Sequence, residues 1–243
     1  MSQDHTTRIC LWSGPRNIST ALMYSFAQRP DTTVYDEPLY AWYLKHTKAG
    51  EYHPGAEEVL ATMENDGNKV VEMMMGEHDR PVVFFKHMTH HLLGLDRGFM
   101  KDCVNVILTR DPGQMLPSFD KVIDNPTMGD VGYAAHMELL NDLDKMGIQP
   151  IVLEAKKLLM NPEGVLRQLC QRIGTPFAPG MLHWQAGARP EDGSWAKYWY
   201  GNVHKSTGFG QYSPKTGSFP PHLEPLLQEC LPYYKTLEKL ALE

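Results

Sequence analysis

Two short segments of the chain carry residue types suited to holding anions. Ser13-Gly14-Pro15-Arg16-Asn17-Ile18-Ser19-Thr20 follows the apolar run Ile9-Cys10-Leu11-Trp12 and opens a helical pattern from Ala21 to Ala27. Its backbone N–H groups converge at a helix N-terminus, where the peptide dipoles favour a phosphate. Arg16 adds a fixed planar cation, and Asn17, Ser19 and Thr20 add side-chain donors. The loop is not the GxxxxGK[ST] loop of ATPases, because the second glycine and the lysine are missing. The second segment, Arg110-Asp111-Pro112 through Ser118, follows the strand-like run Val104-Asn105-Val106-Ile107-Leu108-Thr109. A nucleoside triphosphatase would place a metal-binding Asp there, whereas a guanidinium suits a second phosphate. Pro112 can begin a helix, which puts Ser118 about two turns in, so that Arg110 and Ser118 can close on one phosphate.

Apolar runs at Ile9 to Trp12, Thr33 to Tyr35, Val82 to Phe85, Val104 to Leu108 and Ile148 to Leu153 are bounded by polar or turn residues and read as strands. Helical spacing occupies Tyr133 to Met146, ending at Gly147, and Gly164 to Ile173, ending at Gly174. Leu223 to Leu242 reads as a terminal helix interrupted near Pro232. Asn65 to Asn68 and Met128 to Gly132 read as turns, and Gln185 to Pro221 as a long binding loop or lid. Strands alternating with helices imply an α/β fold whose parallel sheet is covered on both faces, with ligands at the carboxyl ends of the strands. Both anion segments fall at such ends.

Nothing resembling a linker or repeat divides the 243 residues, so residues 1–243 are expected to form one domain. A net charge of −6 without any long Lys/Arg block argues against nucleic acid as the principal ligand. The polar N-terminus, Met1 to Thr7, has no apolar leader, and no run approaches a membrane span. Cys10, Cys103, Cys170 and Cys230 lack CxxC spacing, so reduced thiols and a cytoplasmic setting are expected. Met73-Met74-Met75 reads as core filler.

The two anion segments resemble the 5′-phosphosulfate loop and the 3′-phosphate motif of the sulfotransferase superfamily, in which Arg110 and Ser118 show the 3′-phosphate spacing. Leu153 to Leu158, with Asn161-Pro162-Glu163 and an exit at Gly174-Thr175-Pro176-Phe177, resembles that family's strand, polar turn and helix. Trp195 to Tyr200 with Val203 to Phe209, Tyr24 to Arg29 and Asp36-Glu37-Pro38-Leu39-Tyr40 resemble the sulfotransferase-like region of certain plant branched-chain aminotransferase-like proteins. The resemblance covers roughly residues 8 to 210. It implies a P-loop-type sulfotransferase fold and 3′-phosphoadenosine 5′-phosphosulfate as co-substrate. It also implies metal-independent sulfuryl transfer to a hydroxyl or amine of a small molecule. Cytosolic members usually have Lys where Arg16 stands, followed by Gly.

Sulfuryl transfer needs a base for the acceptor and charge stabilisation at the leaving oxygen. Glu37 is the first candidate base, because the Asp36-Glu37-Pro38 stretch resembles the acceptor-side segment of carbohydrate-type and bacterial sulfotransferases; its alternative is a strand-end carboxylate paired with a cation. Asp36 is a weaker candidate. His87 is the rival, one residue out of register from the Lys-x-His of cytosolic sulfotransferases. Lys86 either contacts the leaving oxygen or caps its strand, and Arg16 answers charge on the 5′-phosphate. Lys205, Ser206 and Thr207 are expected to close over the nucleotide, as the resemblance implies. Tyr40, Trp42, Tyr43, Trp195, Tyr198, Trp199 and Tyr200 either wall a pocket or pack in the core. His87, His90 and His91 complete no zinc spacing, so no metal is expected. The alternative functions are a P-loop small-molecule phosphotransferase and a non-catalytic nucleotide-binding domain.

Overall fold

The computed structural model describes residues 6–215 and 217–243. Residues 1–5 of the polar N-terminal stretch lie outside them. The first half of the chain runs through β1 (Thr7–Ser13), α1 (Ser19–Ala27), β2 (Thr32–Asp36), α2 (Tyr40–His46), α3 (Ala49–Tyr52), α4 (Ala56–Thr62), α5 (Gly67–Met75) and β3 (Val82–Met88). It continues with β4 (Val104–Thr109), α6 (Pro112–Phe119), α7 (Met128–Val131), α8 (Tyr133–Lys145) and β5 (Ile151–Glu154). Helices α9 (Ala155–Met160), α10 (Pro162–Ile173), α11 (Ala196–Trp199) and α12 (Glu224–Leu240) follow.

The strands form one parallel sheet in the order β2-β3-β1-β4-β5, an α/β architecture. From β1 the chain goes to the edge strand β2, returns inward to β3 between β2 and β1, and then crosses to β4 and β5 on the other side. The carboxyl ends of β1 and β4 therefore flank the point where the strand order reverses, the crevice in which open parallel sheets hold ligands.

Successive side chains of a strand point to opposite faces, and the apolar residues divide accordingly. Ile9, Leu11, Phe84, Val106, Leu108 and Leu153 pack against α1, α9 and α10, with Phe26 stacked on Phe84 at 4.4 Å between ring centroids. Cys10, Trp12, Val83, Phe85, Ile107 and Val152 face α5, α8 and α12. Asn105 interrupts this second face with a polar group that is fully used. Its Oδ1 accepts from Trp12 Nε1 at 3.0 Å, and its Nδ2 donates to the Met100 carbonyl at 2.9 Å.

Several local readings change. Helix α12 continues through Pro232, because Cys230, Tyr234 and Leu237 are buried and their packing outweighs the one ladder hydrogen bond that proline forfeits. The turn expected at 65–68 is a helix start, where Asp66 accepts from the Asn68 N–H at 3.0 Å. The turn expected at 128–132 contains α7, closed at its start by a reciprocal Thr127/Asp130 capping box and at its end by Gly132 with φ +77°. Of the methionine run only Met74 is fully buried, while Met73 is exposed. Among the described residues no helix is long and apolar enough to cross a membrane.

Asn105→Leu keeps the γ-branched shape but leaves the Trp12 N–H without a partner and takes one of two donors from the Met100 carbonyl, which retains the Cys103 N–H. We expect a loss of about 2–4 kcal/mol in urea unfolding, and an unchanged midpoint would remove Asn105 from the interactions that hold this face together.

Candidate active site

At the β1 exit the chain passes so close to α7 that a Cβ on Gly14 would lie 2.8 Å from the Val131 carbonyl oxygen, so only glycine fits. Arg16 (φ 57°) and Ile18 (φ 61°) then adopt left-handed backbone, unusual for side chains of this size and worth about 1–3 kcal/mol of strain each. Left-handed residues in such a loop turn successive N–H groups to one side, the geometry of an anion-binding nest. The loop is fastened to the neighbouring strand exit. Asn17 Nδ2 donates to the Leu108 carbonyl at 3.2 Å, and the Arg110 guanidinium donates to the Arg16 carbonyl at 2.6 Å. Arg16 Nε donates to Ser118 Oγ at 3.2 Å, and its Nη1 donates to the Trp199 carbonyl at 2.9 Å. The two anion segments are thus one structure.

Neither Arg16 nor Arg110 has a carboxylate within 4 Å among the described residues. Burial, followed by the proximity of Arg110, lowers the pKa of Arg16, and burial lowers that of Arg110. Lys215 joins them. Burial and then Arg110, Lys121 and Arg16 lower its ammonium to about 8. Cations gathered in this way repel one another, and a bound anion relieves that repulsion.

A second cluster forms where β2 ends beside β3. Lys86, buried to 1 % exposure, donates to Asp36 Oδ1 at 2.9 Å, to Glu37 Oε1, and to the Tyr200 hydroxyl at 2.9 Å. The Tyr200 hydroxyl in turn donates to Asp36, 2.8 Å from Oδ2, which also accepts from the Gly193 N–H at 3.2 Å. Burial opposes the charge on Lys86, yet Asp36 and Glu37 hold its pKa well above the ordinary value. Burial raises the Glu37 carboxyl against the pull of Lys86, and Asp36 adds to the rise. Glu37 also has φ 43°, so the strand exit is held in left-handed backbone where the carboxylate leaves the sheet.

One cavity of about 460 Å³ joins the two clusters. Arg16, Asn17, Ser19, Thr20, Arg110, Ser118, Ser206, Glu37 and Lys86 all line it. Lys205 and Thr207 do not, and both are exposed. The loop is anchored here through Trp184, whose Nε1 donates to Ser206 Oγ and whose N–H donates to the Thr207 carbonyl, and this turns the flanking side chains outward. Lys215, further along the loop, does line the cavity.

His87 does not line the cavity either. It stacks on Trp12 at 4.5 Å on the opposite face of β3 from Lys86, is fully buried, and has no hydrogen-bond partner on either ring nitrogen. Burial, then the nearby Lys86 charge, lowers it to about 3. The reason is the two-residue period of a strand: if Lys86 faces the cavity, His87 cannot. Of the aromatics, Tyr40, Trp195, Trp199 and Tyr200 line the cavity, whereas Tyr198 is exposed and Trp42 donates to the Leu93 carbonyl at 2.9 Å.

The chain also brings to the cavity residues that no motif marked. His53, His90 and His91 line it with Asp130, beyond Glu37 and Tyr40. Tyr40 OH lies 2.8 Å from His53 Nδ1, and His91 is stacked between Tyr40 and Tyr43 at 5.2 and 4.6 Å. No group of three His, Cys, Asp or Glu with metal-ligand geometry occurs among the described residues.

Comparison with known proteins places this geometry. The chain is 43 % identical over 228 residues to branched-chain-amino-acid aminotransferase-like proteins 2 and 1 of Arabidopsis thaliana, an alignment covering 93 % of this chain but only 40 % of each relative. The fold is shared with the sulfotransferase domain of the Synechococcus PCC 7002 olefin synthase (TM-score 0.56, 15 % identity, 94 % of this chain and 97 % of that one). It is shared equally with a sulfotransferase from Alicyclobacillus acidocaldarius (TM-score 0.56, 13 % identity, 97 % and 96 %). A family model described as a sulfotransferase domain matches residues 7–241, and the chain belongs to that sulfotransferase family.

Proposed function

We propose that the chain transfers a sulfuryl group from 3′-phosphoadenosine 5′-phosphosulfate to a small-molecule acceptor without an obligatory metal. The observation that carries this reading is the single cavity linking three cations that lack carboxylate partners to a carboxylate held by a buried lysine. The residues fit a nucleotide bearing phosphate at both ends. The loop between β1 and α1 serves as the phosphate loop for the 5′ side, while Arg110 and Ser118 hold the 3′-phosphate with Arg16 between them. Lys215 adds a further positive charge to the wall. When bound, the nucleotide supplies an electrophilic sulfur and a phosphate leaving group. Glu37 accepts the proton from the acceptor oxygen as that oxygen bonds to sulfur, and its raised pKa suits a base near neutrality. Lys86, kept charged by Asp36 and Glu37, fixes the orientation of Glu37 and offers positive charge toward the reacting group. Four free cysteines accord with a cytoplasmic setting.

A P-loop phosphotransferase is less well supported, because the β4 exit presents Arg110 and the Asp111 carboxylate is occupied in capping the Gly113 N–H at 2.8 Å. Magnesium-dependent consumption of ATP with a metabolite would reverse this preference.

Calorimetry provides the first test. Arg110→Ala should weaken 3′-phosphoadenosine 5′-phosphate about 10- to 100-fold while changing AMP binding less than about threefold, and equal losses would remove the 3′-phosphate assignment. Lys215→Ala should weaken the same nucleotide about tenfold, and an unchanged affinity would leave Lys215 outside the site. For the base, Glu37→Gln should lower kcat by about 10²–10⁴ with nucleotide affinity retained, while His87→Phe, which preserves the stack on Trp12, keeps turnover. Because the Glu37 pKa is raised, the acid limb of the wild-type kcat profile should lie above the ordinary carboxylate range, activity falling as pH drops and Glu37 takes up a proton. A limb that persists in Glu37→Gln would assign the base elsewhere.

A further inference from the structure

The end of the cavity beyond Glu37 has its charges already answered. Glu37 is engaged by Lys86. Asp130 accepts from the Tyr52 hydroxyl at 2.6 Å through Oδ1, and from the Thr127 N–H and hydroxyl at 2.8 and 2.6 Å through Oδ2. No carboxylate there is left to attract an ammonium group, and the cations without carboxylate partners, Arg16, Arg110 and Lys215, belong to the nucleotide end. A charged acceptor would have to be desolvated without a partner, which is costly.

The same end has unmet neutral hydrogen-bonding capacity. His90 and His91 line the cavity, and neither makes a side-chain hydrogen bond among the described residues. Each has its Nδ1 sealed from solvent and unpartnered, so Nε2 is the nitrogen that each ring can offer a ligand. Burial, then the neighbouring imidazoles, keeps both rings uncharged, with His90 lowered to about 3 and His91 well below its ordinary value. A neutral imidazole nitrogen pairs with a hydroxyl as donor or acceptor. The rings are also held in place, since His91 is clamped between Tyr40 and Tyr43 and His90 meets the Tyr43 ring edge-on at 5.0 Å. Trp195 stands edge-on to Tyr40 at 5.1 Å and adds a flat apolar wall.

We propose that the acceptor is an uncharged ring compound carrying at least two neighbouring hydroxyls, one placed at Glu37 for transfer and another bonded to the imidazole edge of His90 or His91. This rests on the sulfuryl-transfer reading and narrows its acceptor from hydroxyls and amines in general. A ring with a single hydroxyl spends that group at Glu37 and leaves the imidazoles unpaired. Sites built to bond a hydroxyl discriminate strongly against ligands that lack it.

Two sources of the diol are separated by the probes. Catechol and cis-1,2-cyclohexanediol are titrated calorimetrically into the full chain saturated with 3′-phosphoadenosine 5′-phosphate. Phenol, cyclohexanol, 3,4-dihydroxybenzoate and 3,4-dihydroxybenzylamine are the comparisons. At least one diol should bind about tenfold or more tightly than its single-hydroxyl counterpart, and both charged catechols about tenfold or more weakly than catechol. His91→Phe, which retains the tyrosine stack, or His90→Phe should reduce the diol preference to within about threefold. Equal binding of diols and single alcohols, equal binding of a charged catechol, or a preference that survives in both variants would overturn the proposal. Wild-type titrations decide the matter alone if neither variant folds. Nucleotide affinity is measured in the same series: failure of the nucleotide to bind defeats the sulfuryl-transfer reading, and the panel is then titrated into the free protein. Absence of any acceptor preference with the nucleotide bound defeats only the diol assignment.

Discussion

The buried ammonium of Lys86 is the interaction on which the site depends. A lysine removed from water is tolerated only with counter-charges in contact, and removing one partner of such a group typically costs about 3–5 kcal/mol. Asp36 and Glu37 supply those charges from the end of the adjacent strand, and Tyr200 closes the cluster from a loop more than a hundred residues further along. The hydrogen bonds of Tyr200 to Lys86 and Asp36 therefore tie the 185–210 loop to the sheet. Trp195 and Trp199 come with it, as does the Trp199 carbonyl that Arg16 uses. Asp36 and Glu37 neutralise Lys86 and Tyr200 orients it, and of the two carboxylates Glu37 is the one that lines the cavity.

The cavity is electrically divided. Cations gathered from three separate loops meet at the crevice between β1 and β4, none of them in an ion pair with a carboxylate among the described residues. The far end combines satisfied carboxylates with imidazoles that burial keeps neutral. Both ends are held by strained or closely packed backbone: left-handed Arg16 and Ile18 at one, left-handed Glu37 at the other, and the approach of Gly14 to Val131 between them. Such strain persists only where surrounding structure over-determines it. Here the ladder between β1, β3 and β4 and the Asn17 and Arg110 bonds to backbone carbonyls do so.

Much of this was legible in the residues. The Gly-Pro-Arg-Asn loop before a helix and the Arg110/Ser118 spacing after a strand are local patterns, and local chemistry determines what they do. Other parts were not legible, for identifiable reasons. Whether Lys86 or His87 meets the cavity depends on which face of β3 lines it, and two adjacent residues cannot be told apart until the sheet has a covered and an open side. Lys205 sits in a motif-like stretch, whereas nothing local marks Lys215, and only Lys215 lines the cavity. The path of an irregular loop depends on anchors such as the Trp184 to Ser206 bond, which no periodicity records.

The amino-acid sequence by itself determined the alternating strands and helices, the two anion-holding loops and the carboxylate pair at Asp36-Glu37, because each follows from spacing within a few residues. Only the tertiary structure decided that the two loops line one cavity, that His87 belongs to the core, that Lys86 bonds Tyr200, and that His90 and His91 line the cavity with Glu37. Those outcomes depend on burial and on contacts between residues far apart in the chain, which arise when the sheet and its covering loop fold together.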